Sequence, residues 1–288
     1  MRLKTILLAA VGAATLAAPA RAHRQWLLPS TTTLSDTNQY VTVDAAVSND
    51  LFYPDHVAMR PEQIKVWAPD GTQGAIENAA TGRHRSTFDV KVDKPGTWKI
   101  GTEMSSVMGS FKLNGETWRV GGRRGPPPAA GAGAPQGAPR VQSVATPAEI
   151  PAGATDVKLT EVMGQNAIYV TAGAPSDGVF KPTGKGLEMQ PVTHPSELVS
   201  DEEGQFRFLV DGKPAAGVTV TVVPGSKKFR ENEAVQELTT GADGLLRVKW
   251  PVPGMYWMSA TVTDAKASVP RATERRMTFT TTLEVPAP

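Results

Sequence analysis

Along most of the chain, apolar and polar residues alternate with a period of two, the spacing of a half-buried strand rather than of a helix. Tyr40–Val47 reads YVTVDAAV, Thr87–Val92 alternates likewise, and Gln63–Trp67 runs into the turn Pro69-Asp70-Gly71. Gly96–Ile100 follows a Lys94-Pro95 turn. Ser110–Leu113 and Thr117–Val120 flank Asn114-Gly115, the strongest short hairpin signal. Pairing resumes in Val157–Val162 and Ala167–Thr171. Beyond the turn-rich stretch Ala172–Gly186 comes a second series: Gln205–Val210, Val218–Val223, Leu245–Trp250, Met255–Val262 and Arg276–Val285. Short strands punctuated by regular turns predict an all-β chain of two immunoglobulin-like β-sandwich domains, residues 23–182 and 183–288. Trp250, Tyr256 and Trp257 are expected to pack in the second core or at its rim.

Two segments break the alternation. Residues 121–155 begin GGRRGPPPAAGAGAPQGAP, which cannot bury apolar surface or sustain a ladder, so a disordered Gly/Pro/Ala insert is expected there. Residues 1–22 read as a secretory signal: basic Arg2 and Lys4, the uncharged apolar run Ile6–Ala18, then small residues. That run is shorter than the roughly 20 apolar residues a membrane-spanning helix needs. No later stretch approaches it, so the mature chain is expected to lack a transmembrane segment. Two A-x-A patterns compete, placing cleavage after Ala20 or after Ala22.

Composition narrows the function. The chain has 30 basic and 28 acidic residues. Cleavage after Ala22 removes Arg2, Lys4 and Arg21, leaving 27 basic against 28 acidic. A nucleic-acid binder would carry a basic excess, so that class is set aside. The absence of cysteine excludes disulfides, thiolate metal sites, cysteine nucleophiles and a lipoprotein anchor. An exported chain without cysteine points to the periplasm. No G-x-S-x-G, H-E-x-x-H, phosphate loop or dinucleotide fingerprint occurs, and a non-catalytic protein is expected.

The candidate chemistry rests on four histidines: His23, His56, His84 and His194. Cleavage after Ala22 would give His23 a free α-amine beside its imidazole. Cleavage after Ala20 would give an amine, two amides and a third-position imidazole, the planar nitrogen set that suits Cu(II) and Ni(II). His56, with Asp50 or Asp55, lies in a loop that leaves a strand directly, within reach of a tethered N-terminus. The expected metal site is therefore His23, His56, Asp55 and Asp50. His194, near Glu188 and Glu197, is expected to hydrogen-bond an inter-domain turn in preference to ligating, with Glu188 a secondary candidate beside it. His84, between Arg83 and Arg85, is expected to be a solvated loop residue. Imidazole and amine bind metal only when neutral, so affinity is expected to fall below about pH 6–7.

Several stretches carry a family resemblance: His23-Arg24-Gln25-Trp26-Leu27-Leu28-Pro29, Ser48-Asn49-Asp50-Leu51-Phe52-Tyr53 with Asp55-His56, and Lys112–Thr117. Tyr169–Pro175, Gly186-Leu187-Glu188, Pro191–Pro195, Val210–Pro214 and Gly254-Met255-Tyr256-Trp257 continue it. The chain resembles a periplasmic family of unknown function grouped with nickel- and cobalt-uptake accessory proteins. The resemblance implies a C-terminal sandwich of the transthyretin-like or carboxypeptidase-regulatory-like kind, usually non-catalytic. It also implies nickel or cobalt as the bound ion, beside the copper that the terminal nitrogen set allows, with a metal-uptake transporter or a TonB-dependent outer-membrane receptor as partner. The competing expectation is a non-metal interaction module that docks on such a receptor or binds carbohydrate.

Overall fold

In the computed structural model the described residues are 23–121 and 142–288, and they are all-β, the helical pieces among them being three-residue 3-10 turns. Strands of four or more residues are β1 Arg24–Pro29, β2 Gln39–Ser48, β3 Glu77–Thr81, β4 Ser86–Val92, β5 Gly96–Leu113, β6 Glu116–Val120 and β7 Thr155–Ala172. The second half contributes β8 Leu187–Pro191, β9 Glu203–Val210, β10 Thr219–Pro224, β11 Gln236–Thr239, β12 Leu245–Lys249, β13 Gly254–Asp264 and β14 Glu274–Val285.

One small sheet runs β1-β2-β4-β3, and another is built on β9, flanked by β8 and β12. Between them lies a large sheet in the order β6-β5-β7-β14-β13-β10-β11. Strand β7 joins its two halves, antiparallel to β5 and parallel to β14, with Thr160 opposite Glu274 through Ala167 opposite Thr281. Alternation along β7 serves two cores. Ile168, Val170 and Ala172 pack with Val41, Val43, Phe88 and Trp98. Ala167 and Tyr169 pack on the other face with Phe206, Phe208, Met258 and Phe279. Successive side chains of a strand point to opposite faces, so a single 18-residue strand supplies both layers.

A third cluster closes the junction. Trp26, Ala46, Leu51, Val223 and Trp257 are buried together, and Phe52 meets the Trp26 ring edge-on at 5.7 Å. Trp26 donates its indole N–H to Ser48 Oγ at 2.7 Å, and Trp257 donates to the Gln25 carbonyl at 3.0 Å. Gly225 is needed here, because a Cβ at that position would lie 2.8 Å from the Phe52 ring and 3.0 Å from the Met255 carbonyl. Buried Arg275 ties the far end of β14 with paired bonds to Asp211 (2.9 and 2.8 Å) and Asp264 (3.1 and 2.7 Å). Its guanidinium holds both carboxyls below the usual carboxylate range, against a smaller opposing effect of burial.

Three expectations change in detail. The segments Gly96–Ile100 and Ser110–Leu113 are ends of one strand, as are Val157–Val162 and Ala167–Thr171. The intervening residues are paired but mostly polar or glycine, exposed around Glu103–Ser105 in β5 and half-buried to buried in β7, so no apolar period marks them. The insert also narrows. Residues 142–155 hold the short strand Ser143–Val144, parallel to β6, and Ile150 is buried with Phe111, Val120 and Leu159. These apolar side chains find a small satellite core on the outer end of the β5–β7 ribbon. Residues 122–141, the remainder of the expected insert, and the signal segment 1–22 lie outside the described residues. Trp250 and Tyr256 are core residues in edge-to-face contact at 4.9 Å, and Trp257 lies in the junction cluster.

Because Trp26 is 1% exposed and bonded through its indole, Trp26→Ala is expected to cost roughly 3–5 kcal/mol of unfolding free energy in denaturant titrations. A cost below about 1 kcal/mol would show that the junction cluster contributes little to holding the first strand.

Candidate metal-binding end of the first sandwich

The C-terminal end of β2 is where the candidate residues meet. On one side it pairs with β1, Ser48 opposite Arg24. On the other it pairs with the start of β4, Ala45 opposite Ser86, and with the short strand Val57–Ala58, Val47 opposite Val57. His23 immediately precedes Arg24, His56 immediately precedes Val57, and His84 lies two residues before Ser86. Register alone therefore delivers three of the four histidines to one end of the sheet.

The side chains complete the arrangement. The His23 and His56 rings are stacked, with centroids 3.8 Å apart and planes 2° from parallel. His84 Nδ1 lies 3.0 Å from the His56 carbonyl oxygen. A carbonyl only accepts, so that bond assigns the proton to Nδ1 and leaves Nε2 with its lone pair. The hairpin bearing His84 is closed by Gly82 N–H on the Arg85 carbonyl at 2.8 Å.

The carboxylates have other partners. Asp55 accepts the Asn49 backbone N–H at 2.9 Å and the Asn49 side-chain amide at 3.2 Å, so it ties the loop's two ends together and seats His56. Burial pushes its carboxyl up, but the Asn49 hydrogen bonds and then the neighbouring His56 outweigh this and bring it below the usual range. Asp50 accepts Lys227 Nζ at 2.7 Å, Lys227 reaches Glu233 at 3.5 Å, and Glu233 takes Arg24 at 3.1 and 3.2 Å. This chain of charges crosses the junction beside Trp257, over whose ring the Arg24 guanidinium lies at 5.5 Å. Of the expected ligand set, His23 and His56 are in ring contact, while Asp55 is bonded to Asn49 and Asp50 to Lys227. Among the described residues no three His, Asp or Glu side chains form a ready metal cage.

His194 and Glu188 are elsewhere. His194 Nδ1 accepts the Ser196 backbone N–H at 3.1 Å and lies 2.7 Å from Ser196 Oγ, while Nε2 lies 3.0 Å from Thr97 Oγ1. Both ring nitrogens are committed, with the proton on Nε2. Glu188 accepts Thr183 N–H, Thr183 Oγ and Gly184 N–H at 2.7–3.0 Å, clamping the loop that enters β8. Neither has lone pairs turned to a shared ion, and their roles are structural. His84, expected to be a solvated loop residue, is half-buried and bonded to the His56 carbonyl, a placement the sequence did not indicate. Its flanking arginines argued against ligation, whereas the β2 register places it beside His56.

A family model described as a domain of unknown function, DUF4198, matches residues 20–264. The chain belongs to that family. A comparison with curated proteins finds no match. Among solved structures, the D0–D1 domains of intimin are 13% identical over 90% of this chain and 97% of theirs, with a TM-score of 0.19. The human OSCAR ligand-binding domain is 10% identical over 91% and 99%, also at 0.19. Likenesses this low carry no argument about the DUF4198 chain. No helix among its described residues is long and apolar enough to cross a membrane.

Burial lowers the His194 pKa below its ordinary 6.5, against a weaker opposing pull from Glu197 and Asp177. A group whose folded pKa is depressed stabilises fully above its unfolded value, and that stability is lost as pH falls through the folded value. Between about pH 7.5 and 5, Tm is therefore expected to fall more in the parent than in His194→Asn, which keeps an acceptor for Ser196 N–H but does not titrate. Equal falls would assign the pH dependence to other groups.

Proposed function

We propose that this DUF4198 protein is a periplasmic, non-catalytic accessory that captures a divalent transition-metal ion as cargo for uptake or delivery. The observation that carries this reading is the gathering of His23, His56 and His84 at one end of β2. With no thiolate in the chain, imidazole and amine nitrogens suit nickel, cobalt or copper. Cleavage after Ala22 adds the His23 α-amine, and cleavage after Ala20 adds an amine and two amides.

His84 supports the reading by its hydrogen bond, since a ligating imidazole typically donates its other N–H to a carbonyl that fixes its tautomer. In the stacked pair the lone pairs lie side by side in parallel planes and do not converge. Uptake of one ion by both rings requires one of them to turn. His23, exposed and ahead of the first strand, is the ring that turns, while Asp55 keeps the His56 loop in place. A metal-uptake transporter or a TonB-dependent receptor at the outer membrane would then exchange the ion.

Calorimetric titration of the mature protein with Ni(II) and Cu(II) is expected to give one site. His23→Ala should weaken it at least about tenfold, a loss of ~1.4 kcal/mol, and His84→Ala by a smaller factor. His194→Asn should bind as the parent does. Undiminished stoichiometric binding by His23→Ala would overturn the ligand assignment. No binding by the parent would leave a receptor-docking module as the better reading.

A further inference from the structure

A second site is built where β5 and β7 pass between the two small sheets. Their register sets Lys99 opposite Tyr169 and Glu103 opposite Gln165, with Gly101 opposite Ala167 in between. At that central pair the strands pack closely, since a Cβ at Gly101 would lie 2.8 Å from Ala167 Cα, and the four longer side chains line a recess. The turn at Phe180 and the strand β8, with Gln190, complete a recess of about 180 Å³ against Trp67.

Tyr169 is the telling residue. It is 5% exposed, and its ring packs on Phe180 at 4.6 Å. Yet its hydroxyl has no hydrogen-bond partner among the described residues, and it is not among the polar atoms sealed wholly from solvent. A buried phenol normally bonds its O–H, so this group faces the recess in want of a partner. Burial, followed by the nearby Glu103 and Glu188 carboxylates, pushes its pKa well above the usual phenol value, so it is a neutral donor and acceptor at any physiological pH.

Charge and size define what fits. Two lysines, Lys99 and Lys181, and two glutamates, Glu103 and Glu188, line the recess, so its formal charge is zero. Lys99 is engaged by Glu103 at 3.1 Å and by the Trp67 face at 4.5 Å, and Glu188 is filled by its three loop donors. Lys181 has no ion partner among the described residues but is exposed to solvent, so an anion would meet only a screened surface cation there. Hydroxyls would find Tyr169 together with the amides of Gln165 and Gln190. A cavity of about 150 Å³ holds one benzene ring, so 180 Å³ admits a single six-membered ring and little more.

We propose that this recess binds one neutral, hydroxyl-rich ring, with the chemistry of a monosaccharide or cyclitol, through the Tyr169 hydroxyl and the Gln165 and Gln190 amides. The site lies on residues separate from the histidine cluster and stands independently of the metal reading. Saturation-transfer NMR of the mature protein with D-glucose, D-galactose, D-mannose, D-xylose and myo-inositol, at about 10 mM each, would detect ligands of millimolar affinity. At least one is expected to bind, at least tenfold more weakly to Tyr169→Phe and unchanged to His23→Ala. Tyr169→Phe keeps the ring packing and removes a hydroxyl without an internal partner, so its Tm should match or exceed that of the parent. The proposal is overturned by silence from all five probes, by equal binding to Tyr169→Phe, or by a marked loss of stability in that variant. It is also overturned by a crystal soaked in the five probes with only ordered water in the recess.

Discussion

The Trp26 indole, sealed between β2 and the second half of the chain, anchors the first described strand. Its bond to Ser48 and its contact with Phe52 lock β1 onto β2 and fold the following loop back over the same cluster. Trp257 completes the seal from the other half by bonding the Gln25 carbonyl. Several residues that the family resemblance singles out, Trp26, Leu51, Phe52 and Trp257, thereby form one structural device. Those residues build the platform, and His23, His56 and His84 lie at its rim.

This division of labour explains the fate of the carboxylates. Asp55 accepts from Asn49 through both oxygens and Asp50 accepts from Lys227, so both carboxylates are engaged in holding the loop and the junction. Asp55 acts on the site through His56, by fixing the loop that carries it. Asp50 acts through the charge chain that ends on Arg24, next to His23. The electrostatics at the junction thus hold geometry and leave the nitrogens as the available donors.

The individual strands were legible because alternation needs only local sequence, as in Tyr40–Val47 and Met255–Val262. The continuity of β5 and β7 was not, because Gly101–Gly109 lies beyond the main cores and loses its apolar period. Nor was the parallel pairing of β7 with β14, which joins residues more than a hundred positions apart and leaves no short-range mark. At the candidate site, the proximity of His23 and His56 followed from a loop leaving a strand end. His84 did not, because its approach depends on which residue of β4 faces Ala45, and sequence does not state a register. The Tyr169 recess was equally hidden, since it needs the register that sets Lys99 opposite Tyr169 and Glu103 opposite Gln165.

Strand register brings His23, His56 and His84 together at the end of β2. Long-range proton–nitrogen correlations and ring NOEs on the mature protein, labelled at histidine, probe this arrangement. Ring-to-ring NOEs between His23 and His56 are expected, together with His84 as the Nδ1–H tautomer. A His84 ring protonated on Nε2, with no contact between the other two, would contradict it.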